Sequence, residues 1–144
     1  MTDSNPNAYV DTDTPDEPIL FRLNVEVADL EQAVTFYSTL LGVLGRRQAG
    51  ARCYFTCGPV TLQVLDVSGH GPVHPVPKSL SFTVGNLEPV FVRARELGCL
   101  SAEQVHGEPG GEISFRPWGE RSFYVDDPWG NSLCFVEAGT TYQG

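Results

Sequence analysis

The sequence predicts an α+β fold in which tandem βαβββ modules form a curled mixed sheet with helices outside. Three observations carry that expectation. Apolar residues alternate from Phe21 to Val27 and then recur at helical spacing from Leu30 to Leu41, a strand passing into an amphipathic helix. The pattern returns 57 residues later, with Ser79-Leu-Ser-Phe-Thr-Val-Gly-Asn-Leu-Glu88 matching Arg22-Leu-Asn-Val-Glu-Val-Ala-Asp-Leu-Glu31. Finally, two runs rich in aromatic and β-branched residues flank Asp127-Pro-Trp-Gly-Asn131 within Arg121–Glu137, which reads as a closing β-hairpin.

In chain order, residues 1–18 read as a flexible acidic arm, with Asp3, Asp11, Asp13, Asp16 and Glu17 and no Lys or Arg. The first module spans residues 19–67. Its opening strand turns Phe21, Leu23, Val25 and Val27 to one side and Arg22, Asn24 and Glu26 to the other. Asp29 then stands at a helix N-cap with Gln32 three residues on, Leu30, Val34, Tyr37, Leu40 and Leu41 form the apolar stripe, and Gly42 supplies the stop. Strands over residues 52–56 and 60–66 are joined by the turn Cys57-Gly-Pro59. Residues 68–78, rich in Gly and Pro, make the linker.

The second module spans residues 79–138. Asn86 takes the cap position of Asp29, Leu87, Phe91, Ala94 and Leu97 form its stripe, and Gly98 ends the helix. A strand near residues 102–106, an irregular stretch over 107–118 and the hairpin complete it, leaving 139–144 as a C-terminal tail. Pro128 fixes φ in the hairpin turn and Gly130 frees its exit.

At 144 residues and 41% hydrophobic, the chain can bury a core. The formal charge of −9 divides unevenly: five acids sit on the arm, and the remainder carries nine basic and thirteen acidic residues. A mildly acidic body argues against nucleic acid, which needs a basic footprint. No stretch approaches a membrane span, and the N-terminus has neither a basic region nor an apolar run, so a cytoplasmic protein with no membrane partner is the expectation.

The strand faces turned away from the predicted helices carry Arg22, Asn24 and Glu26, then Thr61 and Gln63, then Ser79, Ser81 and Thr83, then Ser132 and Cys134. Duplicated sheets covered by helices on one side favour curling such a face into a polar-lined trough. The stretch Pro117-Trp118-Gly-Glu120-Arg121 is the candidate rim, because large rings in turns often line a binding mouth. Cys53, Cys57, Cys99 and Cys134 form no C-x-x-C pair and read as reduced thiols; Cys53 and Cys57 share a strand face about 13 Å apart, too far to bridge. Cys134 has no nearby His in sequence to support a thiolate. His70 and His74 lie four apart, but the surrounding Gly and Pro forbid the helix that would let them chelate, and His106 reads as a strand-end residue. There is no nucleophile elbow, phosphate loop or dinucleotide fingerprint.

The words Val27-Ala-Asp-Leu-Glu-Gln-Ala-Val-Thr-Phe-Tyr-Ser-Thr-Leu-Leu-Gly42 and the run Pro117 to Glu137 resemble the vicinal oxygen chelate superfamily, which holds glyoxalase I, extradiol dioxygenases, fosfomycin-resistance transferases and bleomycin-resistance proteins. The resemblance covers residues 19 to 138 and implies the fold more sharply than the reaction. In metal-using members, four inward strand positions hold His, Glu or Gln around a divalent ion. Carried across, those positions are Arg22, Gln63, Ser79 and Cys134. A guanidinium repels a cation, Ser and Gln are weak neutral ligands, and one thiolate does not suit a hard ion, so no metal or other cofactor is expected.

The expected function is therefore metal-free binding of a small polar or aromatic molecule in a trough shared by both modules of a homodimer, as the bleomycin-resistance branch implies. Arg22, Gln63, Ser79, Cys134 and Glu26 would line the trough, with Trp118, Glu120 and Arg121 at its rim; no catalytic residue is assigned. Arg22 offers a forked donor suited to a carboxylate, phosphate or enolate oxygen, or it pairs internally with Glu26 or Glu120. Two alternatives stand beside this: a metal-dependent lyase, isomerase or dioxygenase with displaced ligands, and a non-catalytic structural or interaction module whose trough is filled by side chains or by the acidic arm.

Overall fold

The protein was analysed as a computed structural model that describes residues 16–144. Of the expected acidic arm, residues 1–15 lie outside the described residues. The chain runs β1 (Arg22–Val27), α1 (Leu30–Leu41), β2 (Arg46–Gln48), β3 (Arg52–Cys57), β4 (Val60–Asp66), β5 (Leu80–Val84), α2 (Leu87–Leu97), β6 (Gln104–Val105), β7 (Glu108–Pro109), β8 (Ser114–Phe115), β9 (Arg121–Asp126) and β10 (Ser132–Glu137). This is the α+β arrangement read from the sequence. Two open four-stranded sheets have the orders β1-β4-β3-β2 and β5-β10-β9-β8. Each is mixed, since β1 and β5 run parallel to β4 and β10 while the remaining pairs are antiparallel.

Local chemistry explains both helices. Asp29 and Asn86 sit in extended backbone and accept from the amides of Gln32 and Glu88, satisfying one orphan donor at each start. Gly42 and Gly98 end the helices in left-handed conformation at φ 70° and 69°, which a side chain would resist. The buried residues of α1 are Ala33, Phe36, Tyr37 and Leu40, and those of α2 are Leu87, Val90 and Ala94. They join Val25, Val27, Phe55, Leu62, Val64, Phe123, Leu133 and Phe135 in one core, so each helix covers the apolar face of its own sheet. Truncating a ring such as Phe123 there costs ~3–5 kcal/mol.

Three local readings change. Strand β2, one of the three strands that βαβββ requires after the first helix, was not located in the sequence, because Arg46-Arg-Gln48 is fully polar and, among the described residues, pairs along β3 alone. The strand near residues 102–106 is only the two-residue β6, paired with β7; His106 and Gly107, at φ 51° and 82°, turn between them, so His106 is a turn residue rather than a strand end. The stretch read as irregular holds β7 and β8.

The turn Asp127-Pro-Trp-Gly-Asn131 fastens the modules together. Asp127, buried, accepts from the Tyr37 hydroxyl at 2.7 Å, from Asn131 Nδ2 at 2.8 Å and from the amides of Trp129 and Asn131. Asn131, also buried, donates to the Glu26 carbonyl on β1 and accepts from the Val76 amide in the linker. Burial and the neighbouring carboxylate hold the Tyr37 hydroxyl protonated, well above its ordinary range.

Candidate functional site: the polar sheet faces

The strand register builds the same cell twice. In the first sheet, Asn24 lies beside Gln63, Gln63 beside Tyr54, and Tyr54 beside Arg46. In the second, Ser81 lies beside Cys134 and Cys134 beside Tyr124. Because side chains alternate, the residues between them in the first sheet, Leu23, Val25, Leu62, Val64, Cys53 and Phe55, turn into the core, and the polar set is left on the face away from the helices.

The face of the first sheet is a hydrogen-bonded layer. Gln63, only 7% exposed, donates through Nε2 to Asn24 Oδ1 at 2.7 Å and accepts at Oε1 from Arg52 Nη1 at 3.2 Å. Arg52 is braced further by the Ala49 carbonyl at 2.7 Å. Arg22 donates to the Tyr54 hydroxyl at 3.1 Å and lies over that ring, and Arg46 donates to Thr56 Oγ1. At the far end, Glu26 accepts from the amide and Nδ1 of His74, and the amide bond draws its carboxyl below the usual range.

The second sheet's face carries shorter polar side chains and is more deeply buried, with Ser122 and Cys134 both buried. Ser79 and Ser132 share a hydrogen bond of 2.6 Å. Burial pushes the Cys134 thiol up, and this outweighs the opposing pull of the Ser122 and Tyr124 hydroxyls and the Arg116 charge. Tyr124 is pushed up to about 12, chiefly by burial. Arg116 is 3% exposed; its guanidinium lies over Tyr124 and donates to Ser122 Oγ and to the carbonyls of Gly110, Glu112 and Ser122. Its buried Nη1 finds no partner among the described residues.

The eight residues picked from the sequence therefore fall into separate groups. Arg22, Gln63 and Glu26 share the first face, while Ser79 and Cys134 sit on the second, and no hydrogen bond among the described residues joins the two sets. Arg22 pairs with neither Glu26 nor Glu120. The proposed rim is tied up within itself: Trp118 Nε1 donates to Glu120, Glu120 also accepts the Tyr142 amide, and Arg121 pairs with Glu137 at 2.6 Å. Two clefts of about 520 and 510 Å³ open elsewhere, the first between Leu23, Leu40, Val60, Leu80 and Phe82, the second between Phe36, Cys99, Asp126 and Pro128. None of the eight residues lines either. Sequence reasoning missed Arg46, Arg52 and Arg116. The alternation Arg52, Tyr54, Thr56 opposite Cys53 and Phe55 was the available signal for Arg52.

The profile of the glyoxalase/bleomycin resistance protein/dioxygenase superfamily matches residues 19–135. The chain belongs to this superfamily. Among solved structures, oxidase ChaP-H1 is 28% identical, with 89% of this chain and 100% of that one covered at a TM-score of 0.71. A glyoxalase/bleomycin resistance protein from Albidiferax ferrireducens T118 is 22% identical over 82% and 98% at 0.68, and a lactoylglutathione lyase from Agrobacterium tumefaciens 20% over 85% and 96% at 0.58; these two show the fold alone. No curated protein sequence matches the chain.

The superfamily brings a divalent ion into question, and the donors at the four positions that the sequence resemblance implies do not fit one. Arg22 is a fixed cation, both ends of the Gln63 amide are engaged, Ser79 is bonded to Ser132, and the Cys134 thiol is held protonated by burial. Among the described residues no three His, Cys, Asp or Glu side chains converge.

Proposed function

We propose that the protein binds a small polar or aromatic molecule without a metal, across a trough made when the polar face of the first sheet in one copy meets the polar face of the second sheet in another. The observation that carries the reading is Gln63: at a position where the sequence resemblance implies a metal ligand, it is locked between Arg52 and Asn24 as part of an organic hydrogen-bonding surface. Such a fixed array presents donors to a ligand with little reorganisation. The pairing of copies is supported by the edges. Among the described residues strands β1 and β5 each keep one side without a partner, and Ile19, Leu20 and Phe21 before β1 stand 59 to 65% exposed, an apolar edge that proteins in water tend to cover.

The test is a thermal-shift screen of small organic molecules in the presence of a chelator, repeated with divalent ions alone. A ligand should raise Tm in wild type and lose its effect in Gln63→Ala. Saturable one-to-one binding of a divalent ion, lost with Gln63 and Cys134, would instead favour an enzyme of the kind that ChaP-H1, an oxidase, represents.

A further inference from the structure

The first sheet's polar face is an island of positive charge on an acidic chain. Strand alternation and register place Arg22 on β1, Arg46 on β2 and Arg52 on β3 on that one face, around Tyr54. Among the described residues none of the three has a carboxylate within ion-pair distance; the Arg–carboxylate pairs there are Arg47 with Glu31 and Arg121 with Glu137, and Glu26 is in contact with His74. Glu26, the one acid on the face, lies at its far end beside Leu65 and is already engaged by His74. Three guanidinium groups gathered on one surface with no acidic partner among the described residues repel one another, so their convergence calls for an anion.

Their anchoring shows how an anion would be met. Arg22, Arg46 and Arg52 are each held through Nη1 by a neutral acceptor, Tyr54 Oη, Thr56 Oγ1 and Gln63 Oε1, and Arg52 also through Nε. No hydrogen bond among the described residues uses the Nη2 group of any of the three. The acceptors are neighbours: Tyr54 and Thr56 stand two apart on β3, and Gln63 stands opposite Tyr54 on β4. Strand geometry sets the Cβ atoms of these three residues about 5 to 8 Å apart. Resting on the binding function proposed above, we infer that the ligand is a compact polyanion carrying two or three carboxylate or phosphate groups, each meeting a guanidinium fork of this trio. A single carboxylate would satisfy one fork and leave the rest of the charge uncompensated, whereas a multivalent anion of this size reaches all three at once.

Calorimetric titration of the full-length protein with citrate and with inorganic pyrophosphate, in chelator and at low salt, tests this and separates the carboxylate from the phosphate source. Saturable binding of at least one of the two is expected, weakening steeply with added salt. It should fall about tenfold or more in each of Arg22→Ala, Arg46→Ala and Arg52→Ala. Arg46→Lys, which keeps the charge and loses the fork, should lie between wild type and Arg46→Ala. Circular dichroism melts confirm that each variant is folded. If citrate and pyrophosphate bind the triple alanine variant as tightly as wild type, or bind only when a divalent ion is added, the inference is wrong. If neither binds while an uncharged aromatic compound binds and needs Gln63, the polyanion assignment falls and the metal-free binding function stands.

Discussion

Both modules place a tyrosine at matching points of the duplicated sheet, Tyr54 and Tyr124, but the arginine over each comes from opposite edges, Arg22 from β1 and Arg116 from beside β8, and the two pairs do different work. Tyr54 and Arg22 lie on an open face, with Arg22 exposed and, among the described residues, hydrogen-bonded through its side chain only to that phenol. Tyr124 and Arg116 lie in a closed one, with Arg116 buried and spending its donors on three backbone carbonyls and Ser122. One copy of the cell thus keeps its charge available and the other uses it as mortar for the β7–β8 segment. The lesson is that residue type and position do not assign a role; the number of donors left over does.

The contrast is broken most forcefully at Arg116. Arg116→Met should cost about 3 kcal/mol or more in urea unfolding, because buried carbonyls lose their donor, whereas Arg22→Ala should stay within about 0.5 kcal/mol. Equal losses from the two variants would erase the distinction. Next in size is the fastening between modules: Tyr37→Phe leaves the buried Asp127 one donor short and should cost about 1 to 2 kcal/mol. A sharper comparison of the matched positions Gln63 and Cys134 comes from alkylation. With its thiol pushed up by burial, Cys134 should remain unmodified by iodoacetamide in the native protein at pH 7.5 and react only on unfolding, as peptide mass spectrometry would read.

The smallest effect concerns the end of the first face. The Glu26 carboxyl is held below its ordinary value by the His74 amide, so its contact with the linker is present above the unfolded carboxylate pKa and is lost as pH falls through the lowered folded value. Hydrogen exchange at the His74 amide should accordingly lose protection in acid, and Glu26→Gln should flatten that dependence. Protection unchanged down to pH 3 would remove Glu26 from the account.

The fold was legible in the sequence because its signals are local and repeated. Asp29 and Asn86 cap, Gly42 and Gly98 stop, and alternation from Leu23 to Val27 selects the buried face, each by chemistry that acts within a few residues. Short polar strands escaped for the same reason: Arg46–Gln48 carries no apolar alternation and exists only because β3 pairs with it. The site was half legible. Arg22 and Gln63 follow from strand phase, but their partners, Tyr54 and Arg52, lie 32 and 11 residues away and are joined to them only by register. Trp118, Glu120 and Arg121 looked like a free rim because a sequence shows donors and acceptors without showing that they satisfy one another.

The account turns on what the first sheet's polar face accepts. Crystals grown with both citrate and manganese, measured at a wavelength where manganese scatters anomalously, decide it in one map. The prediction is anion density among Arg22, Arg46 and Arg52 with no anomalous peak beside Gln63 or Cys134. A manganese peak at those two side chains, with the arginines turned away from any anion, would contradict it.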